Sequence, residues 1–497
     1  MRPMLLYESQ EFIPNPELDD QELMQDLNID PLLQTMSQGD PFLYQTTKKM
    51  ILHSETNRDV LLYRQYILKD SINNPLLIKK IYSIASEIVE ESKDYRYVMK
   101  PNISPGIAFW EKMTTVVTLL AFILPKLREL RNLNKTNKQA YHSKALITLF
   151  EQMDKAYPDS FLTEADTHFN LLQQTLKTSQ LRIGARIGEG LKGTDYLLKE
   201  LDARTPTFTT KKKIRSSNLP SFAYNLNEMR EKIFNNIFVI IKRFLDHTLK
   251  FIDVLRFESS FYVSCVYLHE ELTKKGCQLS FPVPLNANVR ALTFKELYDP
   301  SLAISLGQQP ITNDLQADEM TLFMITGKNQ GGKSTFLRSI GLAQLMMQCG
   351  LFVPATFFQA NLCDRIFTYF TREEDDKLNS GKLDEELSRL DHIVDELTPS
   401  SLLLMNEPFA STTEREGSVI ARDMLAVFYE LELKVFIVTH FYELSRWMYE
   451  RGFENALLLL PERLHSGKRS FKLTLGEPLP TSYGQDLFSE IIQERSD

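Results

Sequence analysis

Apolar residues recur along the first half of the chain at intervals of three and four. Trp110, Met113, Val117, Leu120, Leu124 and Leu127 form one such seam and predict a helix, with Pro125 as a kink in it. A second seam runs through Ile233, Ile237, Ile241, Phe244, Thr248, Ile252 and Leu255, in a stretch with neither Gly nor Pro between Pro220 and Gly276. If continuous, roughly 50 residues at 1.5 Å each make a helix of about 75 Å, a length suited to a spacer or lever. Two stacked helices parting near Phe257–Ser260 are the alternative. Residues before about 105 are polar, helix-prone and broken by scattered prolines. They end in Lys100-Pro101-Asn102-Ile103-Ser104-Pro105-Gly106, which reads as a linker. From Gly276 the pattern changes. Short apolar runs at Leu322–Thr326, Leu402–Met405, Val435–Thr439 and Leu457–Leu460 alternate with helical stretches, which predicts a mostly parallel sheet in an α/β domain. The expected organisation is a helical core domain at 1–105, long lever helices at 106–275, and an α/β domain at 276–497.

Composition narrows the partners. With 43% hydrophobic and 25% charged residues and a net charge of −8, the 497-residue chain has the make-up of a soluble protein without a uniformly basic coat. Any nucleic-acid contact must then be a local patch. One run qualifies: Ala203 to Asn227 carries Arg204, Lys211, Lys212, Lys213 and Arg215 and no acidic residue. It reads either as a phosphate contact or as a solvated loop. Cys265, Cys277, Cys349 and Cys363 show no CxxC spacing and are expected to be reduced thiols. The N-terminus has no signal-peptide pattern, and the longest apolar run, Val116 to Leu124, is half the length of a membrane span. A cytoplasmic location with no membrane partner is expected.

The chemistry concentrates in Gly327-Lys328-Asn329-Gln330-Gly331-Gly332-Lys333-Ser334-Thr335, a complete G-x-x-x-x-G-K-[ST] loop. It follows the apolar run Leu322–Ile325 and opens a helical pattern (Phe336, Ile340, Ala343, Met346, Met347). The glycines let backbone N–H groups converge on phosphate oxygens at a helix N-terminus. Lys333 is expected to reach the β- and γ-phosphates and the Ser334 hydroxyl to ligate Mg²⁺, so ATP with Mg²⁺ is the expected ligand. Such sites need a second strand ending in acidic groups. Leu402–Met405 is that strand, and it ends in Asn406-Glu407. Glu407 can polarise water, whereas Asn406 offers the metal shell only a neutral oxygen, which weakens its pull on a hard cation. His440, after Val435–Thr439, is placed to sense the γ-phosphate or the water.

These segments, with Val353-Pro354-Ala355, Asp364-Arg365-Ile366-Phe367-Thr368, Thr439-His440-Phe441-Tyr442-Glu443-Leu444 and Ser482-Tyr483-Gly484, resemble the MutS family ATPase in order and context. The resemblance is specific over 290–490. It is weaker over 1–275, where Tyr63-Arg64-Gln65 with Ile67-Leu68 and the long helices look like the family's core and lever region. It implies an ABC-type P-loop ATPase domain preceded by an all-α region, acting as a homodimer through the ATPase domains. It also implies coupling to a clamp on mismatched, branched or distorted DNA in repair or recombination control. Carried over, Gly332, Lys333 and Ser334 hold phosphate and Mg²⁺, Glu407 orients water, and His440 reads the γ-phosphate. Three departures stand out. Asn406 replaces the family's Asp. Asn379-Ser380-Gly381-Lys382-Leu383-Asp384 lacks the Ser-Thr-Phe that presents a serine to the partner's nucleotide, which leaves Ser380 as the candidate. The mismatch-reading aromatic and its domain are not found. Two readings compete: a DNA-dependent ATPase, and a nucleotide-gated scaffold that turns over weakly. A transport-type ATPase lacks any matching signature.

Overall fold

The computed structural model describes residues 1–9, 20–137, 141–177, 182–187, 193–200, 220–327, 331–371, 382–463 and 469–478. By internal contacts the chain forms two units. One comprises Met1–Leu5 and Asn74–Ser259, the other Leu6–Asn73 and Ser260–Asp497.

The first unit is built on helices Pro75–Glu91, Lys93–Val98, Phe109–Asn137, Lys144–Ala156 and Asp159–Lys177. Helix Phe109–Asn137 is the one expected from the first seam, and Met113, Val117, Leu120, Leu124 and Leu127 are all buried. Pro125 lies inside it, where it withdraws one backbone donor from the ladder. The second seam forms a single helix, Pro220–Lys274, of 55 residues, which settles the question of a break near Phe257–Ser260. At 1.5 Å per residue it is about 80 Å long. Its burial changes along its length: Thr248, Ile252 and Leu255 face inward on one side, and from Ser259 to Val266 every residue is buried. The all-α expectation for this region needs one correction. Arg182–Ile187 and Gly193–Glu200 pair as an antiparallel ribbon. The cue was a period of two in Ile183, Ala185 and Ile187, too short to stand out against the helical seams.

The second unit holds a six-stranded sheet in the order Arg469–Leu475, Ala456–Arg463, Leu322–Thr326, Lys434–Thr439, Leu402–Asn406, Ile366–Phe370. All neighbours are parallel except the first pair. The central strands read as unbroken apolar runs because helices cover both faces. Helix Lys333–Cys349 packs so closely that a Cβ on Gly341 would stand 2.7 Å from a Leu404 methyl and 2.8 Å from a Leu27 methyl, so a larger residue there would force those side chains to move. A second sheet orders Val283–Leu285, Phe357–Asn361, Leu292–Leu297 and Asn313–Gln316.

Residues 6–73 join this unit through helices Gln21–Asp26, Asp30–Ser37, Pro41–Leu52 and Arg58–Asn73. Arg64 is fully buried at the end of helix Lys333–Cys349. There its guanidinium donates to the Leu6 carbonyl at 3.2 Å and the Cys349 carbonyl at 3.4 Å, and Glu55 pairs with it at 3.6 Å. A cation at a helix C-terminus is favourably placed against the helix dipole. Arg389 similarly ties helix Gln21–Asp26 to the edge strand, meeting Glu22 at 2.9 Å, Asp26 at 3.1 Å and the Phe370 carbonyl at 2.8 Å.

Candidate nucleotide site

Register alone brings the site together. Thr439 pairs with Thr326 and Val438 with Asn406 across parallel strands, so Gly327, Glu407 and His440 emerge side by side at the carboxyl edge of the sheet. That edge is where open α/β sheets place their ligands. Gly327 and Gly332 take φ values of 129° and 85°, a region open to glycine. Gly332 is the N-cap of helix Lys333–Cys349 and no side chain caps it, and a helix N-terminus presents its first N–H groups and the positive end of its dipole to this edge. Asn329 lies outside the described residues. So do Lys211, Lys212, Lys213, Arg215, Ser380 and the Ser482-Tyr483-Gly484 segment.

Lys333 is 5% exposed; its ammonium donates to the Gly327 carbonyl at 2.7 Å and stands 4.0 Å from Glu407 Oε1. Burial pushes its pKa down, opposed by the Glu407 charge. The Ser334 hydroxyl donates to Asn406 Oδ1 at 2.9 Å, which joins the two residues expected at the metal. Glu407 has φ 55°, unusual for a residue with a side chain, and its carboxylate accepts the His440 backbone N–H at 3.2 Å and bonds His440 Nδ1. Burial would raise the Glu407 pKa, but the hydrogen bond and charge of His440, with the Lys333 charge, outweigh it and hold the carboxyl below its usual range. His440 is raised, first by the Glu407 hydrogen bond and against the opposing effect of burial. The geometry thus unites Lys333, Ser334, Asn406, Glu407 and His440, with Gly331, Gly332 and Thr335 beside them.

These shifts give a pH dependence. His440, raised on folding, contributes stability fully below its ordinary 6.5, and this is lost as pH rises through its higher folded value. Glu407, lowered on folding, contributes above its ordinary 4.5, and this is lost as pH falls through its folded value. The two contributions overlap between these ordinary values. The Tm difference between wild type and His440→Gln is therefore expected to be largest near about pH 6 and to shrink by about pH 9. Equal differences at both pH values would mean the pair does not form. The effect is small because the imidazole is nearly half exposed.

Beside the loop lies a cavity of about 370 Å³, lined by Tyr298, Leu302, Ile311, Thr335, Phe336 and Phe471 among others. Phe471 closes on the loop itself: a Cβ on Gly332 would stand 3.4 Å from its carbonyl. The sequence reading missed this cavity. Its walls come from four separate segments, and no short motif unites them. The four cysteines are free and buried, no described helix is long and apolar enough to cross a membrane, and no metal-ligand cluster of His, Cys, Asp or Glu occurs among the described residues.

Residues 56–275 match the MutS2 N-terminal domain, and residues 323–475 match MutS domain V. The chain is 24% identical over 326 residues to the DNA mismatch repair protein MutS of Fervidobacterium nodosum, covering 63% of this chain and 37% of that protein. It is 32% identical over 160 residues to the DNA mismatch repair protein MutS of Chloroflexus aurantiacus, covering 31% of this chain and 17% of the relative. Against MutS protein homolog 4 of Homo sapiens it is 30% identical over 192 residues, covering 37% and 20%. The matched stretch thus spans at most 37% of the length of these relatives.

Proposed function

The chain belongs to the MutS family, and from that premise we propose that it is an ABC-type P-loop ATPase whose nucleotide state controls binding to mismatched, branched or distorted DNA. The carrying observation is the convergence of Lys333, Ser334, Asn406, Glu407 and His440 at the carboxyl edge of the sheet, next to an uncapped helix N-terminus. Lys333 and the loop N–H groups hold the triphosphate, and the cavity under Phe471 takes the nucleoside base, with aromatic walls suited to a flat ring. Glu407 orients the attacking water, with His440 fixing the carboxylate and standing near the γ-phosphate. The oxygens of Ser334 and Asn406 fit a hydrated Mg²⁺, though neither carries charge. When bound, the cation would neutralise phosphate charge.

The reading includes a cytoplasmic homodimer joined through the ATPase domains, with Ser380 offered to the partner's nucleotide. It also keeps a helical core at 1–105, levers at 106–275 and an ATPase domain at 276–497 as functional regions, while by internal contacts residues 6–73 fall in the unit that holds the sheet. Filter binding of homoduplex, mismatched and four-way-junction DNA, with and without ATP, tests it: ATP should change affinity for at least one distorted DNA. Neutralising Lys211, Lys212, Lys213 and Arg215 should reduce the slope of log K against log salt by about three to four, at roughly 0.9 per phosphate contact. An ATP-independent affinity equal on all three DNAs would refute the DNA reading, and an unaltered slope would make the basic run a solvated surface. One observation favours a second reading, a nucleotide-gated scaffold with weak turnover: the Ser334 hydroxyl meets a neutral amide where a carboxylate would draw the metal.

A further inference from the structure

Thr371 stands one residue beyond the edge strand Ile366–Phe370, and nothing in its sequence context marks it. Its backbone N–H donates to the Asn406 carbonyl at 3.1 Å. Its hydroxyl lies 3.2 Å from that same carbonyl and closer still to the carbonyl of Glu407. A hydroxyl has one proton to give, so it is shared between the two acceptors and serves mainly Glu407.

Glu407 is a residue that needs holding. Its φ of 55° lies in the left-handed region, which residues with a Cβ keep only where their surroundings enforce it. Three restraints meet there. On one side of the residue, its N–H donates to the Val438 carbonyl at 2.8 Å. At the tip, His440 grips the carboxylate and Lys333 stands 4.0 Å away. On the remaining side the Thr371 hydroxyl takes the carbonyl. Phe409, two residues on, also has positive φ, at 61°. The turn leaving the strand is therefore bent at two places, and Thr371 restrains the first of them.

We infer that Thr371 is a positioning residue for the site carboxylate: its hydroxyl fixes the Glu407 backbone so that the carboxylate stays beside Lys333 and His440. This rests on the reading of Glu407 as the group that orients water. Thr371→Val keeps the branched shape and the backbone N–H contact with Asn406 and puts a methyl, which cannot donate, in place of the hydroxyl. Thr371→Ser returns it. Misplacing a reacting group by about 1 Å costs roughly a hundredfold in rate, so Thr371→Val should lower kcat roughly ten- to a hundredfold. The KM for ATP and the Tm should move little, because the phosphate contacts and the core are untouched.

The experiment measures ATP turnover, affinity for a non-hydrolysable ATP analogue, Tm, and amide hydrogen exchange over residues 405–409. Wild type, Thr371→Val, Thr371→Ser and Glu407→Gln are compared. The expected result is a kcat loss in Thr371→Val with analogue affinity within twofold, faster exchange at 405–409, and recovery of both in Thr371→Ser. Turnover within twofold of wild type in Thr371→Val overturns the inference, as does a loss that Thr371→Ser fails to recover or unchanged exchange at 405–409. Those outcomes leave the role of Glu407 standing as long as Glu407→Gln stops turnover. If wild type does not hydrolyse ATP, or Glu407→Gln hydrolyses it normally, the reading of Glu407 fails and the inference fails with it.

Discussion

Lys333→Ala is expected to abolish tight ATP binding. The ammonium is the one described side-chain cation within the loop, and it is buried against the Gly327 carbonyl at the foot of an uncapped helix. Hydrogen bonds to charged groups contribute about 1.5–3 kcal/mol each. Losing the proposed contact to the β- and γ-phosphates should therefore weaken ATP by roughly a hundredfold or more. Alanine also removes a buried charge that burial already disfavours, so the folded chain should lose little stability. Equilibrium binding of a fluorescent ATP analogue, with Tm measured alongside, reads both effects. An affinity within twofold of wild type at unchanged Tm would sink the assignment of the phosphate site.

Glu407→Gln and Asn406→Asp are expected to separate the two parts of the proposed hydrolytic site. The glutamine keeps the shape at 407 but cannot accept a proton from water, so turnover should fall by about 10²–10⁴ while ATP still binds. It also removes the partner that raises His440, whose pKa should drop toward the ordinary histidine range. The aspartate acts on the metal. A carboxylate facing the Ser334 hydroxyl at the present 2.9 Å spacing adds charge attraction for a hydrated cation, so half-maximal hydrolysis should need less Mg²⁺. Steady-state turnover against Mg²⁺ concentration measures both variants. If wild type hydrolyses nothing at any Mg²⁺ concentration and Asn406→Asp does not restore activity, the enzyme reading yields to the nucleotide-gated scaffold.

What the sequence by itself determined is what depends on local spacing. The strands Leu322–Thr326, Leu402–Asn406 and Lys434–Thr439 and the helix opening at Lys333 are runs whose periodicity and flanking residues act within a few positions. The long helix was legible because neither Gly nor Pro interrupts it, though only the structure decided between one helix and two. That Gly327, Asn406-Glu407 and His440 come together could be expected in advance, since each closes a strand and parallel pairing places strand ends together.

The tertiary structure decided everything that depends on which distant segments meet. That residues 6–73 fall in the same unit as the six-stranded sheet, with Arg64 buried against the end of helix Lys333–Cys349, goes with a cation meeting the Cys349 carbonyl 285 positions away. No local pattern encodes such a partner. The cavity beside the loop is likewise assembled from Tyr298, Ile311, Phe336 and Phe471, which are scattered across the chain and unremarkable one at a time. The bond from Ser334 to Asn406, the grip of His440 on Glu407 and the Thr371 hydroxyl on the Glu407 carbonyl are distances, set by strand register, by the backbone bend beyond the strand ends and by how helix Lys333–Cys349 packs on the sheet. Periodicity identifies which face of an element is buried, but only packing determines what it is buried against.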